Sequence, residues 1–251
     1  GIPIYNSTRQ AYGVVDTTTA LVQSLNIGMT EIALRMGPDD FYSMLQNFGI
    51  GQRTQVDLPG EESGNLSVPG DPNWSESNLA TNSFGQGVAV TPLQMLTAVS
   101  AIANDGLMMQ PRIVSQIIDG ETVRNAQPSA RRVLSAQTAN QVTDMMIQVV
   151  ADPNGAPLAG IPGYTIAGKT GTAEIPGPTG YENGTSIVTF VGFFPADDPE
   201  VAVLVKLDRP AGYWGSQVAA PVFQRLAERL VILMGIPDDV TRQQLVAQQG
   251  Q

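Results

Sequence analysis

The chain has 251 residues, enough to bury a full core in one large domain or two small ones, and its 42% hydrophobic and 14% charged content is that of a globular protein. Its 13 basic and 23 acidic side chains leave a formal charge of -10 with no local Lys/Arg cluster, which sets nucleic-acid binding aside. With neither cysteine nor histidine, the chain can field no thiolate nucleophile, no Ser-His-Asp triad and none of the commonest zinc ligands.

In chain order, Asp16 is placed to cap a helix whose apolar stripe runs Leu21, Leu25, Met29, Ile32, Met36, and Gly37-Pro38 restarts a second helix through about Asn47. From Gly49 to about Gln86 the composition turns to Gly, Pro, Asn and Ser, which predicts a long functional loop. Thr91-Pro92-Leu93-Gln94 carries a cap, a proline at the first helical position and a capping-box partner, so a helix begins there and ends at Gly106. Another runs from Ser135 to about Val150 before the turn Asp152-Pro153-Asn154-Gly155. The period then changes: Thr165 to Ile175, Ser186 to Phe194 and Val201 to Leu207 predict three strands, the first two joined by a Gly/Pro-rich hairpin loop. The second strand is apolar on both faces, which predicts a central position. A last helix carrying Val222, Leu226, Leu230 and Leu233 stops at Gly235, and residues 238–251 form a polar, frayed tail. No apolar run approaches the ~18 residues of a membrane span and no signal peptide opens the chain, so it is expected to be soluble as it stands. The start at Gly1 suggests a fragment or processed product, and the absence of cysteine fits an extracytoplasmic protein.

Residues 163–174, GYTIAGKTGTAE, satisfy two incompatible patterns. Gly163, Gly168, Lys169 and Thr170 fit a phosphate-binding loop, whereas Lys169-Thr170-Gly171 is the KTG of penicillin-recognising enzymes. A phosphate loop needs a strand before it and a helix N-terminus at once after it. Here Pro157 and Pro162 spoil the strand, and Gly171, Pro176, Gly177, Pro178, Gly180 and Gly184 forbid the helix. Strand alternation accommodates the same residues, with Lys169 and Gly171 on one face and Thr170 and Thr172 on the other. A glycine inside a strand marks close approach by a ligand or another backbone, so Gly171 suits an edge that receives substrate.

The chain resembles the transpeptidase domain of class B penicillin-binding proteins, the septal and elongation D,D-transpeptidases. The resemblance rests on Ser24-Leu25-Asn26, Phe48-Gly49-Ile50-Gly51 with Thr54, Asp57-Leu58-Pro59-Gly60-Glu61, Ser83-Phe84-Gly85-Gln86-Gly87, Thr91-Pro92-Leu93-Gln94, Ala103-Asn104-Asp105-Gly106, Lys169-Thr170-Gly171-Thr172-Ala173 and Ala220-Pro221-Val222-Phe223, in that order. It implies an α+β transpeptidase fold, an antiparallel sheet flanked by helices plus a mainly helical subdomain, with N-terminal strands missing. The expected division is a helical part over 1–160 carrying S-x-N, strands and final helix over 161–237, and the tail over 238–251.

The S-x-N triplet occurs twice, as Ser24-Leu25-Asn26 and Ser63-Gly64-Asn65, and the first matches the family. Ser24 and Asn26 would stand about 200° apart on a continuous helix, so a shared cleft predicts a helix break between them. The resemblance implies that Ser24 relays a proton, that Asn26 holds a substrate amide, and that Lys169 supplies positive potential. It implies further that the Thr170 and Thr172 hydroxyls bind a carboxylate and that the Thr172 N–H donates half an oxyanion hole. A stem peptide would add along the strand edge at Gly171. No cofactor or metal is implied.

The family's nucleophile belongs to S-x-x-K, and this chain has none: its two lysines, Lys169 and Lys206, have Ile166 and Val203 three residues before them. The expectation is a peptidoglycan D,D-transpeptidase whose serine lies outside this chain, at the outer face of the bacterial cytoplasmic membrane in the full-length protein. The partners expected are the stem peptide, β-lactams in the complete domain, and a companion N-terminal fragment or self-association. The alternatives are a non-catalytic peptidoglycan- or β-lactam-binding module of the same fold, and a serine β-lactamase or D,D-carboxypeptidase.

Overall fold

The structure is a computed structural model that describes residues 3–127, 129–177 and 180–249. Its elements in chain order are α1 (Thr17–Val22), α2 (Asn26–Met36), α3 (Pro38–Asn47), α4 (Glu76–Asn82), α5 (Pro92–Ala103), β1 (Leu107–Met109), β2 (Gln116–Asp119), β3 (Thr122–Asn125), β4 (Ala130–Arg132), α6 (Ala136–Ala151), a 3-10 turn (Pro157–Ala159), β5 (Ala167–Gly177), β6 (Gly180–Phe194), β7 (Val201–Asp208), α7 (Gly215–Met234) and α8 (Asp239–Gln249). They divide into two compact units, Gly1–Ala11 with Asn26–Asn140, and Tyr12–Leu25 with Gln141–Gln251. This division differs from the expected one at residue 160. Tyr12–Leu25, which includes α1, and α6 from Gln141 onward belong with the strands rather than with the helical part.

The first unit is mainly helical. Tyr42 of α3 is buried, and its hydroxyl accepts from Trp74 Nε1 at 2.9 Å and Asn82 Nδ2 at 3.1 Å. These bonds gather segments of the expected 49–86 loop around Ala33 and Leu79. That loop is not wholly irregular, because α4 forms inside it on a capping box between Ser75 and Asn78. Thr91 and Gln94 close their capping box as the sequence requires. The short pairs β1–β4 and β2–β3 are antiparallel ribbons that the periodicity did not announce. Strands of three or four residues are too brief to show an alternation.

The second unit is built on the antiparallel sheet β5-β6-β7. β6 is central and covered on both faces, with Phe190, Phe193 and Phe194 fully buried. α7 lies over the Phe190/Phe194 face. Its Phe223 ring stacks 4.6 Å from Phe190 and 5.9 Å from Phe194, and buried Ala219, Ala220 and Ala227 keep the helix close. The expected hairpin loop is shorter than its glycines and prolines suggest, since pairing extends to Pro176↔Tyr181 and Gly177↔Gly180 across an irregularity at Glu174/Pro176. Pro178 and Thr179 lie outside the described residues. α7 ends at Gly235, which adopts the left-handed conformation at φ 67°, as the sequence requires.

The tail expected to fray is α8. Asp238 Oδ1 accepts from Thr241 N at 2.8 Å, and Arg242, 8% exposed, pairs with Asp197 and with Asp239 at 3.0 Å. Polar composition misled here because an arginine and two carboxylates, not an apolar stripe, fasten the helix. Among the described residues no helix is long and apolar enough to cross a membrane.

Candidate active site

The expected break in the first helix is present. α1 ends at Val22 with Gln23 as its C-cap, Ser24 takes the left-handed conformation at φ 53°, and α2 starts at Asn26. The turn is held by Leu25 N donating to Ala20 O at 2.9 Å, with the Leu25 side chain buried at 4% exposure. A non-glycine residue at positive φ costs about 1 kcal/mol or more, and such strain gathers where a side chain must be aimed. The break also resets the helical phase, so the stripe counted through it does not hold. Ile32 and Met36 are 36% and 38% exposed, while Thr30 and Ala33 face inward.

Within the strand unit, Ser24 meets Lys169. β5 carries residues 167–177 in extended conformation, with Lys169 paired to Val191 of β6, Thr170 to Phe190, Gly171 to Thr189 and Thr172 to Val188. That geometry rules out a phosphate loop, since no helix follows Lys169-Thr170. Lys169 Nζ donates to Ser24 Oγ at 3.0 Å, to Thr170 O at 3.2 Å and to Thr170 Oγ1 at 3.4 Å. Among the described residues no carboxylate lies within ion-pair distance of it. The ammonium is therefore crowded by protein with three neutral oxygens and no counter-charge. Desolvation lowers its pKa from 10.5 to about 8. It is cationic at neutral pH yet close enough to neutral to exchange a proton with the hydroxyl it touches.

Asn26 sits in the other unit, where its Nδ2 donates to Tyr5 O at 2.9 Å and Asn6 Oδ1 accepts from Ile27 N at 3.2 Å. The second triplet, Ser63-Gly64-Asn65, is packed differently. Gly64 has φ 68° and leaves no room for a Cβ against Ala89 O, and Asn65 forms an isolated bridge with Ala89. It is a backbone crossing.

Thr172 and Gly171 are held by partners that the motif did not announce. Thr172 Oγ1 accepts from Gly215 N, at the start of α7, at 3.1 Å, leaving its hydroxyl proton free to donate elsewhere. A Cβ on Gly171 would come within 3.0 Å of Thr189 Oγ1, closer than side chains pack. Gly215 in turn would press a Cβ against the Gly171 and Thr189 carbonyls. The glycine at 171 thus has a packing reason inside the sheet, independent of any ligand. The signal that could have found Thr189 is strand register, which a single sequence does not supply. Just before α7, Tyr213 and Trp214 stack edge to face at 4.9 Å, and burial, then Glu174, raises the Tyr213 pKa. Among the described residues no cluster of acidic side chains could hold a metal.

Comparisons with known proteins bear on this geometry. A family model described as the penicillin-binding protein transpeptidase domain matches residues 2–228. The chain is 39% identical over 251 residues to the penicillin-binding protein PbpB of Mycobacterium tuberculosis, covering 94% of this chain and 36% of that protein. It is 38% identical over 220 residues to stage V sporulation protein D of Bacillus subtilis, covering 85% of this chain and 34% of that one. The chain thus spans about a third of the length of these curated relatives. Among solved structures, penicillin-binding protein 3 of Mycobacterium tuberculosis complexed with aztreonam superposes with a TM-score of 0.85 at 36% identity, covering 95% of this chain and 56% of that one. The transpeptidase domain of Burkholderia pseudomallei penicillin-binding protein 3 gives 0.79 at 33% identity, covering 91% and 67%.

Proposed function

The chain belongs to the family of penicillin-binding protein transpeptidase domains, and from that premise we propose that it forms part of a peptidoglycan D,D-transpeptidase that cross-links stem peptides through a serine acyl-enzyme. The observation that carries this is the 3.0 Å bond from Lys169 to Ser24 on a strained turn, beside an open β5 edge. Acyl transfer by serine requires a nucleophile, a base, oxyanion donors and a cationic pocket for the substrate carboxylate. Lys169 and Ser24 together supply a proton path. With its pKa near 8, Lys169 can pass a proton to Ser24 Oγ, whose own proton is then available to a leaving amine. The positive charge that Lys169 retains at neutral pH draws the substrate's terminal carboxylate toward the Thr170 and Thr172 hydroxyls. Asn26 would hold a substrate amide, and the Thr172 N–H would face the oxyanion. The stem peptide would add to β5 as an extra strand.

The nucleophile and its lysine partner are assigned to a segment outside this sequence, since no S-x-x-K lies within it. Penicillin acylation is therefore expected from a protein that joins this chain to an S-x-x-K segment. Labelling with a fluorescent penicillin tests it: the joined protein should label, its Lys169→Met variant should label at least ~100-fold more slowly, and the isolated chain should not label. Covalent labelling of the isolated chain would overturn the assignment. The full-length protein is proposed to act at the outer face of the bacterial cytoplasmic membrane, with cell division or cell shape as the process served.

A further inference from the structure

We infer that the helical unit carries a second ligand site, separate from Ser24 and Lys169, that takes a small carboxylate-bearing molecule with an apolar group. A concavity of about 240 Å³ lies wholly within that unit, between the Phe48–Gln55 segment and the β1–β4 ribbon. Arg53 and Arg131 line it together with Phe48, Met108, Met109 and Pro111, and no acidic side chain does.

Neither guanidinium has an ion-pair partner among the described residues. Asp57, the carboxylate nearest to Arg53 in the chain, accepts from Ile113 N and Val114 N. Glu61 accepts from Thr54 N at 2.7 Å, Thr54 Oγ1 at 2.5 Å and Gln55 N at 2.9 Å; against burial, these bonds and the more distant Arg53 charge hold the Glu61 pKa low. Among the described residues Arg131 Nη2 donates to Met108 Sδ at 3.6 Å, a weak acceptor.

The walls are fixed in advance. Asp57 accepts from Ile113 N and Val114 N at 2.7 Å each, and Gln110 Nε2 donates to Gln55 O at 2.6 Å, so the loop is tied to the segment following β1. Gln94, almost wholly buried, donates to Gly49 O at 3.3 Å and Ser63 O at 2.8 Å and holds the floor. Gly49, at φ 77°, lets the Met108 methyl and Arg131 Nη2 come within 3.1 and 3.6 Å of where a Cβ would stand. Phe48 and Gly49 of the Phe48-Gly49-Ile50-Gly51 run, to which the transpeptidase reading gives no role, thus line this cavity.

Two forked guanidiniums match a planar carboxylate bidentately, and the methionines and Phe48 offer a face for an apolar side chain. The volume suits roughly a dozen non-hydrogen atoms, for which millimolar affinity is the expected scale.

The test is a titration of the whole chain followed by the methyl NMR signals of its methionines, with Met108 and Met109 assigned by substitution to leucine. N-acetyl-leucine should shift those two signals with a millimolar midpoint, N-acetyl-leucinamide should bind at least about tenfold more weakly, and so should inorganic phosphate. Arg53→Gln and Arg131→Gln should each weaken N-acetyl-leucine about tenfold while leaving the other methionine signals in place, which shows that the variants are folded. Lys169→Gln should bind it as the parent does, separating this site from the transpeptidase reading. Equal binding of the amide or of phosphate, unchanged binding by both arginine variants, or loss of binding in Lys169→Gln would overturn the inference.

Discussion

Lys169 has no counter-charge among the described residues, and its pH behaviour follows. Its folded pKa of about 8 lies below the 10.5 of an exposed lysine. Between those values the unfolded chain keeps a proton that the folded chain has released, so stability should rise with pH across that window and be level with respect to this group below it. Chemical denaturation at intervals from pH 7 to 10 should show the parent gaining on Lys169→Met by at most about 3 kcal/mol. Parallel curves would show that the ammonium is better solvated than its surroundings suggest. The strand placement of this residue was legible around KTG. Its proximity to Ser24 was expected from the family resemblance and not from any local pattern, because the two stand 145 positions apart and only packing within the strand unit brings them to 3.0 Å.

At the scale of elements, the sheet is specified by glycines that yield to a neighbour. Gly171 faces Thr189 across β5 and β6, and a methyl there has nowhere to go. Gly171→Ala should cost about 1–3 kcal/mol, as overpacking does, and Thr189→Ala placed on top should recover much of it, read as melting temperature. If the double variant is no better than the single one, the glycine serves something other than this contact. The long elements could be seen in advance: β6 from its two apolar faces, α5 from Thr91-Pro92-Leu93-Gln94, α7 from Gly235. The short ones could not. α4 hides in a Gly/Asn/Ser stretch, and β1 to β4 are too brief to alternate visibly. α8 is fastened by Arg242 rather than by apolar periodicity.

For the molecule as a whole, both outer strands of the sheet matter. β5 and β7 each have one neighbour among the described residues, leaving two rows of backbone donors and acceptors unpaired. Edges of that kind invite another strand. Sedimentation velocity over a range of concentrations should show association of the chain with itself, and mixing with an S-x-x-K-bearing segment should replace that by a defined complex. A single monomer boundary at every concentration would mean that the edges are protected. The charge of -10 opposes association at low ionic strength, so added salt should strengthen it.

The sequence by itself determined the chemistry this protein can and cannot draw on. Without cysteine or histidine the options narrow to hydroxyls, amines and carboxylates, and the spacing of prolines and glycines around Lys169-Thr170-Gly171 admits a strand and refuses a helix. Tertiary structure alone decided which hydroxyl meets the lysine, what fills the space above Gly171, and where the two compact units divide. These are contacts between residues far apart in the chain. They depend on register, helix phase and packing, which no local pattern encodes.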